Sequence, residues 1–285
     1  MTEVSERYDA GAEAYTRHWG PVLHETALRL VNEAAATIDR AIELARGQGR
    51  AASLLDIGTG AGAIALEALA RWPELEVIGA DASSGMLGVA EGRAQALGRE
   101  AAGRLRIVHA PADELGLSDA SVEVALSSFV FQLVPDRPAA FREARRVLRP
   151  GGVLGFVTWM ATEEDFEPTA TIDDLLDELE IDPPAERDEA VAGDYESASQ
   201  AAWQLRRAGF RDVSAREETL SYRWDPEAFL VYKLEYSEHG LLSELRDPLR
   251  SEVLERSRER LARLSTGDFE WRSPVVFAFG TRPDR

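Results

Sequence analysis

The stretch LLDIGTGAGAIALEALA, residues 54–70, constrains the fold of this chain more than any other segment. An apolar run ends at Asp56, and glycines follow at positions 58, 60 and 62 before a helical pattern rich in alanine. A strand that turns through glycines into a helix typically binds a nucleotide, because the turn and the first N–H groups of the helix can meet anionic or polar groups. This segment therefore predicts a nucleotide-binding α/β domain.

The composition narrows the chemistry and the partners. The 285 residues include no cysteine and only four histidines, none of them spaced like metal ligands, so we expect no metal site. The formal net charge of −19 opposes a phosphate backbone and argues against a nucleic-acid partner. Residues 161–200 hold fifteen acidic residues and one arginine, which predicts either a solvated segment or a collar for a cationic substrate.

The ends and the apolar runs predict a cytoplasmic protein. The opening residues MTEVSERYDA are polar and contain no signal-peptide core. No apolar run approaches the roughly 20 residues of a membrane span. We expect a monomer or a homodimer in the cytoplasm.

Hydrophobic periodicity predicts alternating strands and helices. Helix is predicted over 20–46, 137–148, 197–210, 226–239 and 243–265, and strand over 53–57, 75–81, 104–110, 122–128, 152–159, 212–224 and 273–282. This order predicts an α/β fold, a Rossmann-like seven-stranded, mostly parallel sheet with helices on both faces. An N-terminal helical arm (1–49), a cofactor-binding core (50–160), an acidic insertion (161–196) and a closing segment (197–285) with a helical lid at about 225–268 are the expected units.

The glycine turn alone leaves the nucleotide open. Read loosely, residues 58–63 fit the dinucleotide fingerprint, with Asp81 about 20 residues further on. Three features oppose a dinucleotide: the acid Asp56 at the strand end, the 50-residue helical arm before the motif, and the segment VLRPGGVLGF. A nicotinamide-dependent oxidoreductase is therefore the weaker alternative.

Several motifs in fixed order resemble the class I S-adenosylmethionine-dependent methyltransferases. They are LLDIGTGAG, IGADAS, HAPADELGLSDASVEVALSS and ARRVLRPGG, and the opening RYDAGAEAYTRHWGPVL is similar to the ubiquinone and menaquinone C-methyltransferase subgroup. The resemblance covers residues 7–160 well and 195–224 loosely. It implies methyl transfer to a small-molecule acceptor, while O-, N- and C-methylation stay open. A cofactor-binding protein that transfers no methyl group is a further alternative.

The resemblance implies a site for S-adenosyl-L-methionine, with S-adenosyl-L-homocysteine as the product. It places Asp56 near the ammonium group and the ribose hydroxyls on Asp81, whose two oxygens can accept both. The family usually has an acid and then alanine after the third strand, but Pro111 stands in the acid's place here. Either Asp113 or only the Ala112 backbone would meet the adenine. The implied cofactor residues are Asp56, Gly58, Thr59, Gly60, Gly62, Asp81, Ala82, Met86, Ala112, Asp113, Ser127 and Tyr15.

The acceptor side is less defined by the sequence. Phe129 and Trp159 end two strands at the rim where open α/β sheets bind ligands, and with Trp19 of the arm they are the predicted pocket walls. A base is needed only if the acceptor must lose a proton. Weak candidates for that base are His18, Glu235 and His239.

Overall fold

The computed structural model describes residues 3–162, 165–182, 191–238 and 240–284. In these ranges one sheet is formed by β1 (Ala52–Ile57), β2 (Leu75–Asp81), β3 (Leu105–His109), β4 (Val122–Ser128), β5 (Leu148–Trp159), β6 (Arg211–Arg223) and β7 (Glu270–Thr281). The strand order is β3-β2-β1-β4-β5-β7-β6. Strand β7 pairs antiparallel with β5 and β6, and the other pairs are parallel. The predicted seven-stranded, mostly parallel sheet is confirmed.

Helices cover the sheet and form the arm. They are α1 (Glu3–Ala14), α2 (Gly20–Gly47), α3 (Ala63–Arg71), α4 (Ser84–Ala96), α5 (Arg99–Gly103), α6 (Arg137–Val147), α7 (Glu167–Glu178), α8 (Ala198–Arg207), α9 (Pro226–Val231), α10 (Leu241–Glu244) and α11 (Leu249–Leu261). Two π-helical segments, Tyr15–Trp19 and Tyr232–Ser237, interrupt the helical runs. Such segments are rare and occur frequently at functional sites.

Each face of the sheet has its own hydrophobic core. Leu54 packs on one side with residues of α2 and α3, and Leu55 packs on the other side with residues of α6 and α8. Successive residues of a strand point to opposite faces, so a strand covered on both sides is apolar throughout. Both leucines are fully buried, and burying such a side chain contributes about 1.5–3 kcal/mol.

Two boundaries differ from the sequence prediction. The helix predicted over 243–265 is two helices, α10 and α11, because the chain is extended at Leu245 and α11 begins only after Pro248. Proline disfavours helical geometry in the residue before it, which separates the two helices. Strand β5 begins four residues early, since Leu148 pairs with Val122 before the Pro-Gly-Gly turn.

The parallel strands bring their carboxyl ends to one edge of the sheet. There, β1 pairs with β2 on one side and with β4 on the other, so the chain connections diverge between β1 and β4. Open α/β sheets bind ligands at such a switch point. No helix in the described ranges is long and apolar enough to cross a membrane.

Candidate functional site

The glycine turn joins β1 to α3 at this switch point. Gly58, Gly60 and Gly62 have φ angles of 66°, 53° and 87°, which side chains rarely adopt. A Cβ on Gly58 would lie 2.2 Å from Val130 Cγ2, whereas a Cβ on Gly60 would enter open space. Gly58 is therefore required by packing. Gly60 lines both cavities, and the space beside its Cα is clear.

Asp81 is the last residue of β2, and its side chain links the glycine turn to the segment before α4. Its Oδ2 accepts the N–H of Gly60 at 2.8 Å, and its Oδ1 accepts the N–H of Ser83 at 2.9 Å. Burial raises the pKa of this carboxyl group, and the backbone N–H groups of Ser83, Gly60 and Ala82 act in the opposite direction. A carboxylate has about four acceptor positions, so the side chain keeps acceptor capacity beyond the hydrogen bonds from Gly60 and Ser83.

Asp56 is buried at the end of β1 beneath the turn. Its Oδ2 accepts hydrogen bonds from Thr59 Oγ1 at 2.7 Å and from the N–H of Ala65 at 3.1 Å. Burial raises the pKa of Asp56 to about 7, while these two hydrogen bonds lower it. A cation bound beside this carboxyl group would stabilise its ionised form.

Two cavities meet at the turn. The first, of about 570 Å³, lies at the carboxyl ends of β2, β3 and β4, and the second, of about 370 Å³, lies between the turn and the start of α2. Both are lined by Tyr15, Gly58, Gly60 and Ser128. Asp81 lines the first cavity and Asp56 lines the second, and the four shared residues form the boundary between the two.

The loops after β2 and β3 line the first cavity. Four of the sequence-predicted residues lie there: Ala82, Met86, Ala112 and Asp113. His109 lines the same cavity, and its Nε2 is 3.0 Å from the carbonyl oxygen of Ala82. His109 is not among the cofactor residues implied by the sequence, although it ends β3 directly beside Asp81 in the sheet register.

Of two adjacent serines at the end of β4, Ser128 faces the cavities. Ser127 is fully buried, and its hydroxyl donates to the carbonyl of Ile57 at 2.9 Å. Ser128 lines both cavities, and its buried hydroxyl has no hydrogen-bond partner within the described ranges. The side chain of Ser127, which the sequence placed in the cofactor site, is thus turned into the core because side chains alternate along a strand.

Aromatic residues lie in and behind the wall of the first cavity. Phe129 lines the first cavity and has a φ of 56°, an uncommon value for a side chain of this size. Its ring lies 4.2 Å from that of Trp159, and Trp19 stacks on Tyr232 at 5.2 Å. The described residues that line the two cavities do not include Trp19 or Trp159. These two side chains pack behind the wall in an aromatic cluster between the arm and the second π-helical segment.

Tyr15 comes from the first π-helical segment and lies on the boundary of the two cavities. Its ring meets Tyr8 edge to face at 5.7 Å and Tyr236 at 6.3 Å. Burial raises the pKa of Tyr15, and the nearby tyrosines and Asp81 raise it further. The arm thus lines the same cavity as Asp81.

The folded chain brings together two of the three candidate bases. His18 Nε2 lies 3.9 Å from Glu235 Oε2, and these residues belong to the two different π-helical segments. Burial lowers the pKa of His18, while Glu235 raises it. Neither residue is among the described residues that line the cavities, and His239 lies outside the described ranges.

A comparison with known protein families finds a match over the segment that contains most of this site. Residues 55–156, from β1 to β5, match the family model described as a methyltransferase domain. The matched segment contains the glycine turn, Asp81 and Ser128, but neither the arm nor the second π-helical segment.

Curated relatives match part of the chain. The malonyl-[acyl-carrier protein] O-methyltransferase of Xylella fastidiosa is 35% identical over 35% of this chain and 32% of its own. The ubiquinone/menaquinone biosynthesis C-methyltransferase of Brucella anthropi is 30% identical over 58% of this chain and 65% of its own. The chain thus spans about a third to two thirds of the length of these relatives.

A solved structure extends the likeness in fold beyond the domain. A putative sarcosine dimethylglycine methyltransferase from Galdieria sulphuraria superposes with a TM-score of 0.53 and 19% identity, covering 91% of this chain and 86% of that one. At this identity the likeness shows the shared fold.

Proposed function

We propose that this protein binds S-adenosyl-L-methionine and transfers its methyl group to a small-molecule acceptor. The observation that carries the proposal is the junction of two cavities at the glycine turn, with Asp81 in one and Asp56 in the other. The ligand must then present hydroxyls at one end and a cation at the other. S-adenosyl-L-methionine does so through its ribose diol and its ammonium group.

The first cavity would hold the adenosine part. Asp81 keeps acceptor positions for both ribose hydroxyls beyond its bonds to Gly60 and Ser83. Ala82 and Met86 would flank the adenine, and Asp113 or the backbone of Ala112 would meet its amino group.

The second cavity would hold the amino-acid part. Asp56 would pair with the ammonium group, which offsets the burial that raises the pKa of Asp56. Arg93 also lines this cavity, and its guanidinium donates to the carbonyl of Ala61 at 2.8 Å. Its other N–H groups suit the carboxylate of the same amino acid. Ser128, at the junction, would offer its hydroxyl where the two parts meet.

The bound cofactor supplies a methyl group on a sulfonium, whose leaving group is neutral. The chain's own residues would contribute position and the exclusion of water. We propose that residues 50–160 hold the cofactor together with the arm (1–49), and that the arm and the insertion at about 225–268 also enclose the acceptor. Phe129 lines the first cavity and is backed by Trp159 and Trp19, and this aromatic wall favours a flat or lipophilic acceptor.

Ligand-induced thermal shifts test the cofactor. S-adenosyl-L-homocysteine should raise the Tm of the wild-type protein, and NADH and NADPH should leave it unchanged, because a ligand stabilises only the state it binds. Stabilisation by NADH or NADPH alone would establish an oxidoreductase instead.

Label transfer tests the reaction. Radioactive methyl from S-adenosyl-L-methionine should pass to a small molecule of a deproteinised cell extract in the presence of the wild-type protein. The Asp81→Ala variant is the control for enzyme-dependent label. A protein that binds the cofactor and labels no component would be a binding protein without transferase activity.

A further inference from the structure

The N-terminal arm is attached to the start of α4 through Asp9. Oδ1 of Asp9 accepts hydrogen bonds from Ser83 Oγ at 2.6 Å and from the N–H of Gly85 at 2.8 Å, and Ser84 Oγ lies at 3.4 Å. These hydrogen bonds hold the pKa of Asp9 below its usual range. Charge-assisted hydrogen bonds of this kind are about twice as strong as neutral ones.

Ser83 connects this attachment to the proposed cofactor site. Its N–H donates to Asp81 Oδ1, and its Oγ donates to Asp9 while accepting the N–H of Met86 at 3.1 Å. One residue therefore joins the cavity carboxylate, the N-terminal cap of α4 and the arm. A displacement of Asp9 acts on the residue that orients Asp81.

Gly85 gives independent evidence that the sequence specifies the close approach of the arm to α4. A Cβ at this position would lie 2.9 Å from the carbonyl oxygen of Asp9 and 3.2 Å from its Cα. Gly85 sits in the first turn of α4, where any side chain is conformationally allowed, so the reason for glycine is the neighbouring backbone. The arm and α4 fit only without that side chain.

The attached arm completes the wall of the first cavity. Val4, Ser5, Tyr8 and Tyr15 all line it, and they flank Asp9 along the arm. Residues on both sides of Asp9 thus face the cavity, and Asp9 itself holds the segment against α4. Without this attachment the cavity would be open on the side of Tyr8 and Tyr15.

We propose that Asp9 is a positioning residue, which docks the arm on α4 and thereby completes the cofactor cavity. This inference rests on the proposed function, since it assigns the completed cavity to S-adenosyl-L-methionine. It predicts that loss of the hydrogen-bond acceptor at position 9 weakens cofactor binding although Asp9 does not line the cavity.

Calorimetry with S-adenosyl-L-homocysteine tests the role of Asp9. Asp9→Ala should weaken binding about tenfold or more, the scale of a lost charge-assisted hydrogen bond. Asp9→Asn should retain most of the affinity, because its amide oxygen can still accept from Ser83 and Gly85. Glu13→Ala, which removes an exposed acid from the same helix, should bind like the wild type.

Gly85→Ala provides a second test that leaves Asp9 and Ser83 intact. The added methyl group should displace the arm and weaken binding in the same direction as Asp9→Ala. Hydrogen exchange of residues 3–19 should be faster in both variants and unchanged in Glu13→Ala. This readout separates arm docking from a general loss of stability, which would accelerate exchange in the sheet as well.

The outcomes separate this inference from the proposed function. Wild-type affinity in Asp9→Ala, or an equal loss in Glu13→Ala, would overturn the role of Asp9 and leave the proposed function standing. Failure of the wild-type protein to bind S-adenosyl-L-homocysteine would overturn both.

Discussion

Asp81 accepts the backbone N–H of Gly60 at 2.8 Å, which ties the end of β2 to the middle of the glycine turn after β1. The same carboxylate accepts the N–H of Ser83 at the start of α4. Three of the segments that line the first cavity are thus linked to one another by one side chain. Any ligand that binds the remaining acceptor positions of Asp81 meets a preformed site.

Asp81→Ala is expected to weaken the binding of S-adenosyl-L-homocysteine by about 1.5–3 kcal/mol, since the ribose hydroxyls lose a charged acceptor. Isothermal titration calorimetry on the folded variant measures this loss. Glu76→Ala, which removes an exposed acid from the same strand, is the matched control. Unchanged affinity in folded Asp81→Ala would contradict the ribose contact.

Gly60→Val is expected to abolish cofactor binding while the α/β fold persists. The new side chain would enter the open space beside the turn, at a φ of 53°. Gly49→Val is the control, because Gly49 has a φ of 71° and open space around it but follows α2 away from the cavities. Both variants carry backbone strain, so circular dichroism should report similar folds. Normal cofactor binding by Gly60→Val would show that the turn does not touch the ligand.

Asp56→Asn is expected to change how stability depends on pH. Asp56 has its ordinary pKa of 3.8 in the unfolded chain, and burial raises this pKa to about 7 in the folded protein. Between these values the folded state binds more protons, so the free energy of unfolding of the wild type falls as pH rises to 7 and then levels off. The asparagine variant lacks this loss and should be more stable than the wild type by roughly 2–4 kcal/mol at pH 8.

Urea denaturation at pH 5 and pH 8 measures this effect. The stability difference between Asp56→Asn and the wild type should grow from the lower to the higher pH. The asparagine oxygen can still accept from Thr59 and Ala65, so the local structure is retained. An equal difference at both pH values would place the pKa of Asp56 outside this window.

The adjacent serines of β4 allow a matched comparison. Ser128→Ala is expected to weaken cofactor binding by about 0.5–1.5 kcal/mol and to leave stability unchanged or higher, because this hydroxyl is buried at the cavity junction with no partner in the described ranges. Ser127→Ala is expected to lose about 1 kcal/mol of stability with its hydrogen bond to Ile57, at unchanged affinity. Calorimetry and urea denaturation of both variants measure these changes. If Ser127 were the ligand-facing residue, Ser127→Ala would lose affinity and Ser128→Ala would lose stability.

Much of the core was predictable because its signals are local. The strand before Asp56, the turn through Gly58 and Gly60, and the strand that ends at Asp81 all lie where the sequence predicted. Apolar runs mark strands buried on both faces, and left-handed turns require glycine. Parallel pairing then brings Asp56 and Asp81 to the same edge.

Only the tertiary structure decided how distant segments complete this site. The attachment of Asp9 to Ser83 joins residues 74 positions apart, and Tyr15 reaches the cavities from the arm. The choice between Ser127 and Ser128 depended on the exact pairing of β4, because a shift of one residue exchanges the two faces of a strand. The sequence by itself determined the strands, the turn and the two carboxylates, since backbone geometry and hydrophobic periodicity act over a few residues. Contacts between the arm, α4 and the second π-helical segment arise from packing across the chain, which no local pattern encodes.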